Sequence, residues 1–233
     1  MNFLSSLMED TLQLFYPHIC KGCGNDNLSI DQQLCIHCFN SLPKTGFINH
    51  AENATEKIFN GRLDIVKGHS EFYFSKGKII QSLLHQLKYK GNKNIGIFLG
   101  ELLGRTISEH EYYFNIDFIV PMPLFKEKEL KRGYNQAAVI GQGISSILKK
   151  PMLENVVVRN RTTQTQTRMH RTERWLNVNE SFFVKNPSIL ENKKILLIDD
   201  VVTTGATMEA CGREILNVKN TQLSIATIAI ATK

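Results

Sequence analysis

The 233-residue sequence predicts an α/β fold: a parallel sheet with helices on its faces, preceded by a small cysteine-rich module. Three observations carry that prediction. Short apolar runs alternate with segments of helical periodicity through the C-terminal half, the order that builds parallel sheets covered on both faces. One such run, Ile195-Leu-Leu-Ile198, ends in two carboxylates and a turn of small residues, the make-up of a ligand-bearing strand end. Four of the five cysteines fall in two C-x-x-C pairs near the N-terminus.

Taken in order, Phe3, Leu4, Leu7, Met8, Leu14 and Phe15 have near-helical spacing, and Pro17 closes that segment. The cysteine module follows and ends near Pro43, so the chain divides into residues 1–45 and a main domain over 46–233. Asn49 to Glu56 is polar and reads as a linker. Leu63–Val66 and Glu71–Phe74, separated by Lys-Gly-His-Ser, predict a hairpin. Ile79, Ile80, Leu83, Leu84 and Leu87 mark an amphipathic helix closed by Gly91. A second helix follows, with Gly96, Gly100 and Gly104 spaced by four for close packing in a soluble core. Ile116–Val120 predicts a strand, Asn135–Leu148 a helix, and Val156–Arg159 and Ser181–Val184 short strands. Lys194–Ile198 is a buried strand, Thr207–Leu216 a helix holding the lone Cys211 as a small core residue, and Leu223–Ala229 a further buried strand.

Hydrophobic residues are 42% and charged residues 21% of the chain, which excludes collagenous and disordered classes. No run approaches the roughly 18 apolar residues of a membrane span. The apolar N-terminus lacks an opening Lys or Arg and carries Glu9 and Asp10, unlike a secretory signal, so a cytoplasmic protein is expected. The net charge is +6, yet Pro121 to Trp175 holds eleven Lys and Arg against four Glu, and the remainder sums to −1. A basic zone in one segment points to an anionic partner there, whether phosphate, pyrophosphate or nucleic acid; a solvated basic face is the alternative.

Cys20-Lys-Gly-Cys23 and Cys35-Ile-His-Cys38 can bring four thiolates tetrahedrally onto one zinc at about 2.3 Å. Such a shell leaves no open position, so the metal would be structural. Redox pairs or disulfides are the competing reading, and a cytoplasmic setting argues against them.

The chemistry is concentrated in Ile195-Leu-Leu-Ile-Asp199-Asp200-Val-Val-Thr203-Thr204-Gly205-Ala206-Thr207. The turn after the strand aims backbone N–H groups at a helix N-terminus and can cradle a phosphate, while Gly205 permits close approach. Carboxylates repel phosphate but accept hydrogen bonds from sugar hydroxyls. A ribose diol next to a 5′-phosphate satisfies both halves. A Walker B strand is the rival, but no G-x-x-x-x-G-K-[ST] accompanies it. The two Asp could also simply cap the next helix.

This stretch resembles the phosphoribosyl-pyrophosphate (PRPP) signature of type I phosphoribosyltransferases, a Rossmann-like fold. The ComF family of competence-related proteins, also called ComFC, is resembled nearly end to end. The four cysteines, Leu87-Lys-Tyr-Lys-Gly91, Val120-Pro-Met-Pro123, Arg132-Gly-Tyr-Asn-Gln136, Arg161-x-Thr163-x-x-Gln166 and Arg174-x-x-Asn177 carry that likeness. The resemblance implies that Asp199 and Asp200 hold ribose hydroxyls while Thr203, Thr204, Gly205, Ala206 and Thr207 hold the 5′-phosphate. It implies magnesium with PRPP, and transfer to an acceptor that the sequence does not identify. Lys126, Lys128, Lys131 and Arg132, in a loop after Pro123, are candidates to receive pyrophosphate, with Lys126 and Arg132 placed among the catalytic residues. Arg161, Gln166, Arg168, Arg171 and Arg174 lie in a polar stretch long enough to form a flap that contacts pyrophosphate or nucleic acid. The family further implies DNA uptake in natural transformation, with single-stranded DNA and the uptake machinery as partners and Phe125, Tyr134 and Trp175 as stacking rings. A non-catalytic DNA-binding competence factor and a PRPP-sensing regulator are the alternatives to turnover.

Overall fold

The computed structural model describes residues 18–26, 28–29, 32–75, 78–161 and 180–231. The helix expected over Phe3–Tyr16 lies outside them. In chain order the regular elements are α1 (Ile36–Asn40), α2 (Ala54–Phe59), β1 (Lys67–Phe74), α3 (Ile79–Tyr89), α4 (Lys93–Ser108), α5 (Glu111–Phe114) and β2 (Phe118–Pro121). They continue as α6 (Lys126–Arg132), α7 (Gln136–Leu148), β3 (Val157–Arg161), β4 (Glu180–Val184), β5 (Lys194–Val202), α8 (Ala206–Leu216) and β6 (Gln222–Ala231).

Four strands form a sheet in the order β1-β6-β5-β2, every pair parallel. β3 and β4 make a separate antiparallel ribbon, with Val157 opposite Val184 and Arg161 opposite Glu180. Successive side chains of a strand point to opposite faces. Accordingly Leu196 and Ile198 of β5 pack with Leu83, Leu87, Leu99 and Ile140 on one face. Ile195 and Leu197 pack with Phe59, Met208, Cys211 and Ile215 on the other. Cys211 is the small core residue expected from its pattern.

The glycine spacing in α4 does what it predicts. A Cβ on Gly100 would stand 2.1 Å from the Ile140 carbonyl oxygen, and one on Gly143 of α7 2.2 Å from that of Ile97. The two helices touch backbone to backbone.

Three sequence expectations are corrected. The hairpin over 63–74 is a single strand, because Lys67-Gly-His-Ser is not a turn but the buried start of β1, paired along β6. Its polar side chains find partners inside the fold: His69 Nε2 lies 3.0 Å from Glu71 Oε2, although His69 Nδ1 is buried without a hydrogen bond, and Ser70 Oγ bonds Thr227 Oγ1 at 2.7 Å and accepts from Thr55 Oγ1 at 2.8 Å. The polar stretch 49–56 is not wholly a linker: Asn53 caps α2, its Oδ1 accepting from the Thr55 and Glu56 amides. The basic residues after Pro123 form helix α6 and not a loop. Glu127 and Glu129 sit in its first turn, Lys131 and Arg132 in its last, matching the helix dipole, and Gly133 ends it at φ 77°.

The cysteine module rests on this body. Cys20, Leu34, Cys38 and Leu42 belong to the same apolar cluster as Leu83 and Leu87. Gln86 Nε2 of α3 donates to the Lys21 carbonyl at 2.9 Å. The Tyr73 amide donates to Pro43 O at 2.8 Å and the Thr45 amide to Glu71 O at 2.9 Å, so the segment after the module covers the free edge of β1.

Candidate functional site

The acid pair lies where β5 emerges from the sheet. Asp200 reaches Lys88 at the end of α3, while Asp199 lies on the side of α8, where it acts on the Cys211 thiol. Asp200 is only 5% exposed, whereas Asp199 is half-buried. Asp199 Oδ1 accepts from the Asp200 amide at 2.8 Å, and Asp200 Oδ1 from the Val201 amide at 2.9 Å. The other oxygen of Asp200 pairs with the Lys88 ammonium at the end of α3. Burial, and then the neighbouring Asp200 carboxylate, push Asp199 up to about 8, against a smaller opposing pull from Lys88.

The following turn is open to solvent. Thr203, Thr204 and Ala206 are exposed, and Gly205, at φ 75°, is the cap of α8. Only glycine serves at Gly205: besides the left-handed backbone, a Cβ would meet Ile58 Cγ2 at 2.5 Å and Phe59 at 2.9 Å. Helix α2 therefore backs the turn. Arg62, just after α2, secures it from behind, donating to Thr204 O at 2.9 Å and to Ile58 O at 3.1 Å and pairing with Glu209. Glu209 also accepts from Arg213 at 2.7 Å; that bond and Arg62 hold its carboxyl below the usual range. Side-chain acceptors for hydroxyls and the amides of a helix N-terminus for an anion thus meet at one strand end.

The segment Arg132–Gln136 is a bracket. Tyr134 Oη donates to the Leu87 carbonyl in the last turn of α3, next to Lys88. Asn135 Nδ2 donates to Met122 O at 2.9 Å while its Oδ1 caps α7 through the Ala137 amide at 3.0 Å. Arg132 donates to Gln136 Oε1 at 2.6 Å and lies 5.5 Å from the centre of the Tyr89 ring.

The predicted site residues thus fall into groups. Asp199, Asp200 and Thr203 to Thr207 come together as one edge. Lys126 and Arg132 stand beyond the end of the neighbouring strand β2; Lys126 is exposed and lines a cleft of about 310 Å³ with Pro121, Pro123, Asn135 and Arg159. Arg161 closes β3, and Gln166, Arg168, Arg171, Arg174 and Trp175 lie outside the described residues. Of the expected stacking rings, Phe125 is covered by the Arg159 guanidinium at 4.1 Å and Tyr134 by the Lys93 ammonium at 5.0 Å. Sequence reasoning missed Lys88 and Arg62 as site residues. Lys88 had a legible signal: it continues the apolar stripe Ile80, Leu84 at helical spacing, a cation where the pattern calls for a core residue.

The four module cysteines bring their Sγ atoms within 4.8 Å of one another. Thiolates 2.3 Å from a tetrahedral centre stand about 3.8 Å apart, and Cys23 and Cys35 are separated by 3.8 Å. Cys20 Sγ accepts from the Cys35 amide at 3.3 Å and the Gly22 amide at 3.4 Å. Burial raises that thiol, and these backbone donors outweigh it, bringing it down to about 6. The residues present fit a closed metal shell of sulfur ligands.

Residues 135–233 match the phosphoribosyl transferase domain family. The chain is 26% identical to competence protein F of Haemophilus influenzae over 89% of its own length and 88% of that protein's. It is 26% identical to competence protein ComFC of Bacillus subtilis over 81% of this chain and 80% of the other. The DNA utilization protein YhgH of Escherichia coli is 30% identical over 55% of this chain and 57% of that protein. With the parallel sheet and the four-cysteine cluster, these matches give the chain a phosphoribosyltransferase fold and a likeness, over most of its length, to proteins named competence protein F and ComFC.

Proposed function

We propose that the chain binds PRPP, or a related 5-phosphorylated ribose, at the C-terminal edge of β5. The observation that carries this is the adjacency of the Asp199–Asp200 carboxylates to the open Thr203–Thr207 turn on one strand end. The acids accept hydrogen bonds from the 2- and 3-hydroxyls. The turn and the first amides of α8 receive the 5-phosphate, with Arg62 and α2 fixing the turn's shape from behind. Hard carboxylate oxygens facing a phosphate-binding turn suit magnesium, which when bound with PRPP would neutralise charge on the pyrophosphate. Lys126 and Arg132 on α6, with Arg161, Gln166, Arg168 and Arg174, are the candidates to meet pyrophosphate or a nucleic-acid backbone.

The biological setting we infer is DNA uptake in natural transformation, in keeping with the relatives' names, competence protein and DNA utilization protein. The basic balance from Pro121 to Trp175 favours single-stranded DNA as a further partner. We place the protein in the cytoplasm; no described helix is long and apolar enough to cross a membrane. Cys20, Cys23, Cys35 and Cys38 would hold a structural zinc, which closes the module's fold and supplies no reaction step. The division into residues 1–45 and 46–233 belongs to this proposal as well.

Calorimetry with PRPP and magnesium tests the central reading. Micromolar binding is expected, and the Asp199→Asn, Asp200→Asn double variant should lose it. A wild-type protein that takes up no heat with PRPP would sink the reading.

A further inference from the structure

The basic zone read from Pro121 to Trp175 gains a second segment in the fold. The Tyr134 hydroxyl on the Leu87 carbonyl draws the Arg132–Gln136 bracket onto the last turn of α3. That turn and its link to α4 bring Lys88, Lys90 and Lys93 to Lys126, Lys128, Lys131 and Arg132. Over residues 85–93 and 126–136 only Glu127 and Glu129 are acidic. Lys88 is engaged by Asp200, whereas Lys90 and Lys93 are exposed.

Where the two segments meet stands Tyr89, 66% exposed. The stripe Ile80, Leu83, Leu84 and Leu87 of α3 is buried, and His85 and Tyr89, one turn apart, lie off it in solvent. Their ring centres are 4.9 Å apart, and the Arg132 guanidinium lies 5.5 Å from that of Tyr89. The helix end that carries Tyr89 is fixed on two sides, by Gln86 on the Lys21 carbonyl and by Tyr134 on that of Leu87, so the ring is already ordered for a ligand. The rings expected from sequence to stack bases are less free. Phe125 lies under the Arg159 guanidinium at 4.1 Å, and Tyr134 has its hydroxyl engaged and the Lys93 ammonium 5.0 Å from its centre.

We propose that Tyr89 is a base-stacking site for single-stranded DNA, with Arg132, Lys90 and Lys93 taking the phosphates on either side. This rests on the reading of single-stranded DNA as a partner and says where the strand docks. Charge complementarity selects the occupant: a single strand offers phosphates and unstacked base faces together, whereas a duplex keeps those faces inside its own stack. The site reads no sequence, because every base has a π-face. A strand on Tyr89 passes beside the acid edge, since the preceding residue pairs with Asp200.

Fluorescence anisotropy of a fluorescein-labelled thymidine oligonucleotide, titrated with the full chain at several salt concentrations, tests this. Tyr89→Ala should weaken binding about tenfold, the loss of one stacked base. Tyr89→Gln, a second helix-compatible variant without a ring, should repeat that loss, and Tyr89→Phe should bind like wild type. None of the three should change the salt dependence, because none removes a phosphate contact. The Lys90→Ala, Lys93→Ala double variant should instead flatten the slope of log affinity against log salt by about 1.4. An abasic strand of equal length and a duplex should each bind wild type and Tyr89→Ala alike. Wild-type affinity in Tyr89→Ala and Tyr89→Gln, a Tyr89→Phe as weak as they are, an equal loss on the abasic strand or the duplex, or an unchanged salt slope in the lysine variant would each overturn the proposal. In those cases wild type still binds the strand, so the partner reading survives; a wild type that binds no strand removes that reading and this one together.

Discussion

Asp199→Asn should make the ligand-free protein more stable, and increasingly so as pH rises. Burial and the adjacent Asp200 raise the Asp199 carboxyl from 3.8 to about 8. Between those values the folded protein holds a proton that the unfolded chain releases, so raising the pH favours unfolding. The stability tied to this proton is complete below the unfolded value and is lost progressively until pH passes about 8. Each pH unit in that window is worth about 1.4 kcal/mol at full effect, so the ceiling between pH 5 and pH 8 is on the order of 4 kcal/mol. Asparagine keeps the Oδ1 that accepts from the Asp200 amide and removes the titration. For a chain of this size 1 kcal/mol moves Tm by about 2–4 °C, so even a quarter of the ceiling is measurable. Calorimetric scans of both proteins at pH 5 and pH 8 should show a Tm advantage for the variant that widens at pH 8. An equal advantage at both values, or a variant less stable at pH 8, would show that Asp199 is not forced to hold a proton in the fold.

Other outcomes follow from the packing. Gly143→Ala puts a methyl 2.2 Å from the Ile97 carbonyl and should cost about 1–3 kcal/mol or more in urea unfolding, since only separation of α4 from α7 relieves it. Gly205→Ala strains a φ of 75° and drives a Cβ into Ile58; calorimetry should show phosphosugar binding fall far more than circular dichroism shows helix lost. Metal analysis should find one zinc per chain, and Cys23→Ser, which changes the exposed ligand, should abolish it. Chelation should lower Tm in wild type, because Cys20 and Cys38 belong to the main apolar cluster.

Much of this fold was legible because each element kept one period. The stripe Ile80, Leu84, Leu87 and the run Ile195–Ile198 could be assigned from spacing alone, and the edge of β5 followed from two carboxylates placed where an apolar run stops. The failures share one physical cause, polar residues whose partners come from distant elements. His69 and Ser70 look like a turn until Glu71 is seen to meet His69 Nε2, and Thr55 and Thr227 to meet Ser70. Asn53 looks like a linker until it caps a helix whose Phe59 is buried behind Gly205. The α6 lysines look like a loop because no residue of that helix is buried, so it carries no apolar stripe to read. Lys88 was missed for the converse reason: a lysine is read as solvated, and only the fold shows that Asp200 lies at the end of its reach.

Helix α3 links the cysteine module to the acid edge of β5. A Cβ at Gly22 would touch both Cys38 Sγ and Ile79 Cδ1 at 2.9 Å, so the module sits directly on the first turn of α3. Gln86, two turns on, holds the Lys21 carbonyl, and Lys88 in the last turn meets Asp200. A rise of 1.5 Å per residue puts Ile79 and Lys88 about 13 Å apart on one rigid rod. The module thus fixes the start of a helix whose end carries the ion pair to Asp200, and Tyr134 pins that end from the side of α7. The sulfur shell is therefore part of the wall that aims Lys88, not a separate appendage. Loosening it should be felt at Asp200 before it is felt at the Thr203–Thr207 turn, which α2 and Arg62 secure independently.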